Sequence, residues 1–213
     1  METKRDEEAI EALREAGADR PKLLGTLFDE NRDRLRKMVQ IRMDPLLRAR
    51  VDPSDVVQEA YVEVSTRLAD YLADPRVPFF VWIRLTTAQH LVTLYRHHVG
   101  AQKRDARRQV PMDRGVLPAA SSAVMARQLV GALTTPSGAA VKEEVRKQIE
   151  DGLEAMNTQD REILVMRHFE ELTNRETAAE LGIQESAASK RYLRALQRMR
   201  KVLRSAGLDE SNA

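Results

Sequence analysis

Apolar residues recur every three to four positions through most of the chain, and a period-two alternation is sustained nowhere, so the pattern predicts an all-α protein. The sharpest helix start is Asp52-Pro53-Ser54-Asp55. It supplies an Asp to cap the first free N–H groups, a Pro where a missing N–H costs nothing, and a second Asp near the positive end of the helix. From there Val57, Tyr61, Val64 and Leu68 mark a buried stripe, broadened by Val56 and Ala60. Asp55, Gln58, Glu59 and Glu63 fall elsewhere and predict an acidic, polar surface. The rigid turn Asp74-Pro75-Arg76-Val77-Pro78 leads into another long helix, FFVWIRLTTAQHLVTLYRHH. Residues 21–98 thus read as one helical domain, preceded by a charged, partly helical leader, 1–20. Gly, Pro, Ser and Thr accumulate over 99–143, which predicts a flexible linker with a short helix near Met125 to Leu133. A second helical domain follows over 144–205, then a frayed tail, 206–213.

The second domain ends in two helical segments joined by a glycine turn, TNRETAAELG (173–182) and SAASKRYLRALQRMRKVLR (186–204). Thr173 with Glu176 fits a capping box, and Gly182 stands where a helix must end in a left-handed residue. At about 100° per residue, Ala188, Tyr192, Ala195, Leu196, Met199 and Leu203 share one arc, the face toward a core. Lys190, Arg191, Arg194, Arg198 and Lys201 share another. Ser186 and Ala187 leave the first turn small, so that a phosphate backbone or a base edge can come close. Charge sharpens the picture. Residues 144–185 carry five basic and eleven acidic side chains, whereas residues 186–204 carry seven basic ones and no acid. Ordinary solvated helix faces mix the two signs. A short helix, a tight turn and a uniformly basic second helix predict a helix-turn-helix that enters the major groove of DNA.

Composition narrows the alternatives. A hydrophobic content of 42% suffices for folded cores, and the net charge of +2 says little beside its uneven distribution. The absence of cysteine excludes disulfides and thiolate metal sites. The charged start METKRDEEAIEALRE is no signal peptide, and no apolar run approaches the ~20 residues of a membrane span. A cytoplasmic, nucleoid-associated protein is expected. No phosphate-binding Gly loop, His-Glu-x-x-His pair or nucleophile elbow is present, so no enzymatic activity, cofactor or metal is expected. Six of the nine aromatic residues lie between Tyr61 and Tyr95; Phe79, Trp82 and Ile83 at helical spacing read as core rather than as base-stacking platforms.

The two blocks together resemble the two modules of extracytoplasmic-function sigma factors, promoter-recognition subunits of bacterial RNA polymerase. DPSDVVQEAYVEVSTRL followed by FFVWIRLTTAQHLVTLYRHH is similar to region 2; LEAMNTQDREILVMRHFEELTNRETAAELGIQESAASKRYLRALQRMRKVL is similar to region 4. The linker start AQKRDARRQV resembles a subgroup of the same family. The resemblance implies that Asp55, Gln58 and Glu59, with Asp52 and Glu63 as neighbours, dock on the clamp helices of the polymerase's largest subunit. It implies that the segment from Tyr71 through Arg76 to Pro78 captures a base flipped from the −10 element, and that Arg84, Thr87, Gln89, His90 and Arg96 contact −10 DNA. Many relatives carry Asn where this chain has Gln89, and Arg or Lys where it has Ala88, so the contacts that open its promoters differ. Ser186, Ala187, Ser189, Lys190, Arg191 and Arg194 match the −35 reader. Arg167, His168, Phe169, Glu170 and Glu171 stand where the flap of the second-largest subunit is met. An anti-sigma factor is a further partner that the resemblance suggests. A stand-alone helix-turn-helix regulator is the alternative; it explains residues 144–204 but not the Asp55-Gln58-Glu59 helix followed by the Trp82 helix.

Overall fold

The computed structural model describes residues 2–100, 118–131 and 139–208. Every regular element among them is helical, and the chain divides into two compact units, Met1–Pro118 and Ala119–Ala213. The break falls within the stretch read as a linker. The expected linker start, AQKRDARRQV, lies outside the described residues, as does most of the expected tail.

The first unit contains α1 (Glu2–Glu15), a 3-10 turn (Gly17–Asp19), α2 (Arg20–Glu30), α3 (Arg32–Arg42), α4 (Pro45–Arg48), α5 (Pro53–Ala73), α6 (Phe79–Tyr95) and a π-helical turn (Arg96–Gly100). Asp52 caps α5 as its sequence requires, its carboxylate accepting from the Ser54 N–H at 2.7 Å. α5 and α6 run antiparallel with α3 against both. Val56, Val57, Ala60 and Val64 of α5 meet Ile83, Ala88 and Leu91 of α6 and Leu35, Met38 and Val39 of α3 in the core. Phe28 from α2 meets Tyr61 edge-on at 5.1 Å. The charged leader is built into this unit: α1 packs on α2, α5 and α6, and Leu13 is fully buried. Arg14 donates from Nε and Nη2 to the Leu72 carbonyl at 3.2 and 2.8 Å, satisfying an acceptor that the end of α5 would leave open.

The second unit contains α7 (Ser122–Gly131), α8 (Ala139–Ala155), α9 (Thr158–Leu164), a π-helical turn (Val165–Phe169), α10 (Asn174–Leu181) and α11 (Glu185–Ser205). The short helix expected near Met125 is α7, and it packs along α8 with Met125 and Ala126 buried. Ile149, Leu153, Ile163, Leu164, Leu172, Ala178, Ala188, Ala195 and Met199 form the core. Two backbone positions set its geometry. Gly152 of α8 faces Val202 of α11 so closely that a β-carbon there would lie 3.1 Å from Cγ2 and 3.3 Å from Cβ of the valine, and nearer still to Cγ1. Glu171 closes the π turn at φ 58°, alone among the described non-glycine residues in having a positive φ.

Candidate nucleic-acid interface and acidic face

The helix-turn-helix is assembled by local rules. The Thr173 hydroxyl accepts from the Glu176 N–H at 3.1 Å, and the Glu176 carboxylate accepts from the Thr173 N–H at 2.7 Å, completing the capping box. Gly182 at φ 62° and ψ 33° ends α10, and the Ile183 N–H returns to the Ala178 carbonyl at 3.0 Å. Asn174 then fixes α11 against α10. Its Nδ2 donates to the Glu185 carbonyl at 3.0 Å, and its Oδ1 accepts from the Ser189 hydroxyl at 3.1 Å.

On α11, Ala188, Ala195 and Met199 are buried, with Tyr192, Leu196 and Leu203 half-buried. The inner face also includes Val202, which the arc drawn from sequence left out. The outward face carries Ser186, Ala187, Lys190 and Arg194, all exposed. Two further residues share it, Gln197 and Leu193, the latter 58% exposed. An isolated leucine between a lysine and an arginine gives little sequence signal, because it reads equally well as part of a core stripe. Ser189 is half-buried and engaged with Asn174, and Arg191 is half-buried at the edge of the face. Arg198, placed on the basic arc by spacing, forms an ion pair with the buried carboxylate of Asp160 in α9.

At the rear of the helix, the Tyr192 hydroxyl is hydrogen-bonded to His168 Nε2 at 2.8 Å, and the Arg167 guanidinium lies 5.2 Å from the centre of the Tyr192 ring. Burial, and then the neighbouring Arg167 charge, hold the His168 imidazole below the ordinary histidine range.

In the first unit, Asp55, Gln58 and Glu59 are exposed on one side of α5. Val62, 64% exposed, sits among them at helical spacing. Glu63 is half-buried at the border with α6. Asp52 is exposed but engaged as the helix cap.

The residues expected to meet −10 DNA are not all on the surface. Arg84 and Thr87 are fully buried, and the Thr87 hydroxyl donates to the Ile83 carbonyl at 2.8 Å. α6 runs through the middle of the unit, so a position that spacing alone puts on its flank is enclosed by α1, α3 and α5. Tyr71 is also inside: its ring stacks on Trp82 at 4.2 Å and 11°, and its hydroxyl donates to the Val77 carbonyl at 2.9 Å. Burial, aided by Asp6 and opposed by Arg14, raises its phenol well above the ordinary tyrosine range. His90 faces α5 rather than outward. Its Nδ1 lies 2.9 Å from Glu63 Oε1 and its Nε2 lies 3.1 Å from Glu59 Oε2. Arg76, Gln89 and Arg96 are exposed; Arg76 pairs with Asp74 at 2.6 Å, and Gln89 Oε1 accepts from Arg67 at 2.7 Å.

Among the described residues no group of three His, Asp or Glu side chains is disposed to hold a metal, and no helix is long and apolar enough to cross a membrane.

Comparison with known proteins agrees with this anatomy. Residues 146–199 match the family described as Sigma-70, region 4. No curated protein sequence matches the chain. Among solved structures, CnrH, determined in complex with the cytosolic domain of CnrY, is similar at 19% sequence identity and a TM-score of 0.53, over 92% of this chain and 97% of that one. Residues 146–199 thus match the sigma-70 region 4 family, and the chain shares its all-helical fold with CnrH.

Proposed function

We propose that this chain binds core RNA polymerase and directs it to a set of promoters, reading the −35 element with α11 and opening the −10 element with the first unit. The observation that carries the reading is the outward face of α11. It is exposed and free of carboxylates from Ser186 to Arg204, and it is mounted on a helix-turn-helix within the segment that matches sigma-70 region 4. Lys190 and Arg194 are its base-reading candidates, each with ~1–3 kcal/mol of discrimination for a good bidentate pair. Ser186 and Ala187 allow close approach, and the remaining cations hold phosphates, so that affinity falls with salt. Ser189 and Arg191 contribute from the border of the same face.

The exposed Asp55, Gln58 and Glu59 are the surface for the clamp helices of the largest polymerase subunit, with Asp52 and Glu63 shaping its ends. In the turn from Arg167 to Glu171, the exposed His168 and Glu171 are the groups for the flap of the second-largest subunit; Arg167 and Phe169 are half-buried, and Glu170, expected there from the resemblance, is enclosed. Within −10 recognition, Arg76, Gln89 and Arg96 are the groups already outside. Base capture at the segment 71–78 uses Tyr71 only if its stack on Trp82 opens, and flipping a base itself costs a few kcal/mol. Joining two modest sites in one chain raises the effective concentration of the second once the first is engaged, which offsets that cost. An anti-sigma factor is a further partner in this reading, supported by CnrH having been solved in complex with another protein, the cytosolic domain of CnrY.

The test is run-off transcription with sigma-free bacterial core polymerase on a promoter library. Start sites that share two spaced elements and depend on this chain support the reading. No chain-dependent initiation, or tight operator binding by the chain alone, overturns it in favour of a stand-alone regulator.

A further inference from the structure

We propose that His90 is a positioning residue for the acidic face of α5: from α6 it holds the carboxylates of Glu59 and Glu63 in the directions in which polymerase meets them. The inference rests on the reading that this face binds core polymerase, and it moves His90 away from the DNA role that the family resemblance implied.

The geometry is specific. Glu59 and Glu63 are four residues apart, adjacent on the helix surface, and like charges in that relation repel. His90 lies between them with its side chain 12% exposed, one ring nitrogen 2.9 Å from Glu63 and the other 3.1 Å from Glu59. An ionised carboxylate only accepts, so both contacts are hydrogen bonds at once only when each nitrogen carries its proton. The ring thus sits between the two carboxylates and turns both toward α6.

A second link closes beside it. Arg67 donates through Nη1 to Gln89 Oε1 at 2.7 Å and lies through Nη2 3.2 Å from Glu63 Oε2. Glu63 is therefore fixed from two sides. Glu59, 56% exposed at its side chain, is held by His90 yet remains open to an arriving cation. A long side chain already confined to one rotamer loses less freedom when a partner binds it, so the contact gains affinity without any new atom at the interface.

The experiment measures core polymerase affinity by fluorescence titration for the full chain, His90→Phe, His90→Gln, Glu59→Gln/Glu63→Gln, and the combination of the last pair with His90→Phe. Removing charge-assisted hydrogen bonds of this kind is expected to weaken binding about threefold to tenfold in His90→Phe. His90→Gln, which keeps one donor, should fall between His90→Phe and wild type. In the Glu59→Gln/Glu63→Gln background the His90→Phe change should cost almost nothing further, because the groups it directs are already neutral. Should His90→Phe lose its cooperative melt, the same comparison is made with His90→Gln. Undiminished polymerase affinity with slowed promoter opening would return His90 to a DNA role and overturn the proposal. An equal loss with and without the two glutamates would overturn it as well. A wild-type chain that fails to bind polymerase removes the functional reading itself, and that result is distinct from both.

Discussion

Replacing Gly152 by Ala sets two effects of opposite sign against each other. In an exposed helix the change is favourable, because Ala exceeds Gly in helix propensity by ~1 kcal/mol. Here α11 crosses directly over the position. The new methyl would meet Val202 with Cγ2 at 3.1 Å and Cβ at 3.3 Å, and with Cγ1 closer than either. Rotating χ1 gives no escape: valine in a helix is confined to one main rotamer, both of its methyls are within reach, and its Cβ is fixed to the backbone. The helices must separate instead. Overpacking of this kind costs ~1–3 kcal/mol, and the stiffness of the neighbour puts this case toward the upper end. The expected balance is a loss of about 1–2 kcal/mol, or roughly 5–15 °C in the melting of a unit this size. Circular dichroism follows helix in both units. The single tryptophan, Trp82, lies in the first. The second unit's transition is therefore the helix loss that Trp fluorescence does not track. Adding Val202→Ala should recover most of the lost stability, so the double variant melts above Gly152→Ala. A melting temperature raised by Gly152→Ala alone would mean that propensity dominates and that the close crossing of α8 and α11 is wrong.

Other outcomes follow from the second unit. Arg194→Ala and Lys190→Ala should leave its melting unchanged, since both side chains are exposed, yet lower −35-dependent transcription by about 5-fold to 100-fold and flatten its salt dependence; an unaltered transcript level would remove them from the interface. Arg198→Ala should do the reverse, costing about 1–3 kcal/mol by leaving the buried Asp160 carboxylate without its partner; melting curves measure it, and an unchanged midpoint would show the pair to be decorative. Glu171→Gly should stabilise by up to ~1 kcal/mol, because a side chain at φ 58° is strained and glycine is not; a lower melting temperature counts against that account. For His168, the folded-state value lies below the unfolded one, so the unfolded chain binds the extra proton first as pH falls. Stability contributed by the neutral ring is present above the ordinary histidine range and declines below it. His168→Gln should therefore melt with a flatter pH dependence between about pH 7 and 5 than wild type, and parallel curves would contradict the assignment.

The sequence was most legible where one residue satisfies one local requirement. Asp52 before Pro53, Thr173 with Glu176 and Gly182 each act through backbone groups within a turn, and each stands in the structure in that role. The face of α11 was readable for the same reason, since seven cations without an acid leave one orientation that keeps charge in water. Legibility failed where several elements converge. α6 is apolar on most sides, so nothing in its periodicity marks an outer face, and Arg84, which the resemblance put on −10 DNA, is enclosed. His90 looked available for DNA because its two carboxylate partners come from another helix. Arg198 and Ser189 sit at the right angles for DNA contact but are engaged by Asp160 and Asn174, which only the tertiary arrangement brings near. α1 was hidden by its composition, because one buried leucine among charges leaves too thin a stripe to announce a packed helix.

That helix carries a practical consequence for anyone cutting the molecule into pieces. A fragment begun at residue 21, where charge alone suggests an edge, would discard Leu13 from the interior and the guanidinium that closes the Leu72 carbonyl near the end of α5. Arg20, which donates to the Leu13 and Arg14 carbonyls at 2.7 and 3.0 Å and so fastens α1 to the start of α2, would go with them. The damage would surface far from the cut in sequence, at Leu72 and the neighbouring Tyr71, which lead into the turn proposed to capture a flipped base. Trimmed material that grips polymerase but initiates poorly would owe its defect to missing scaffolding rather than to missing contacts with the template.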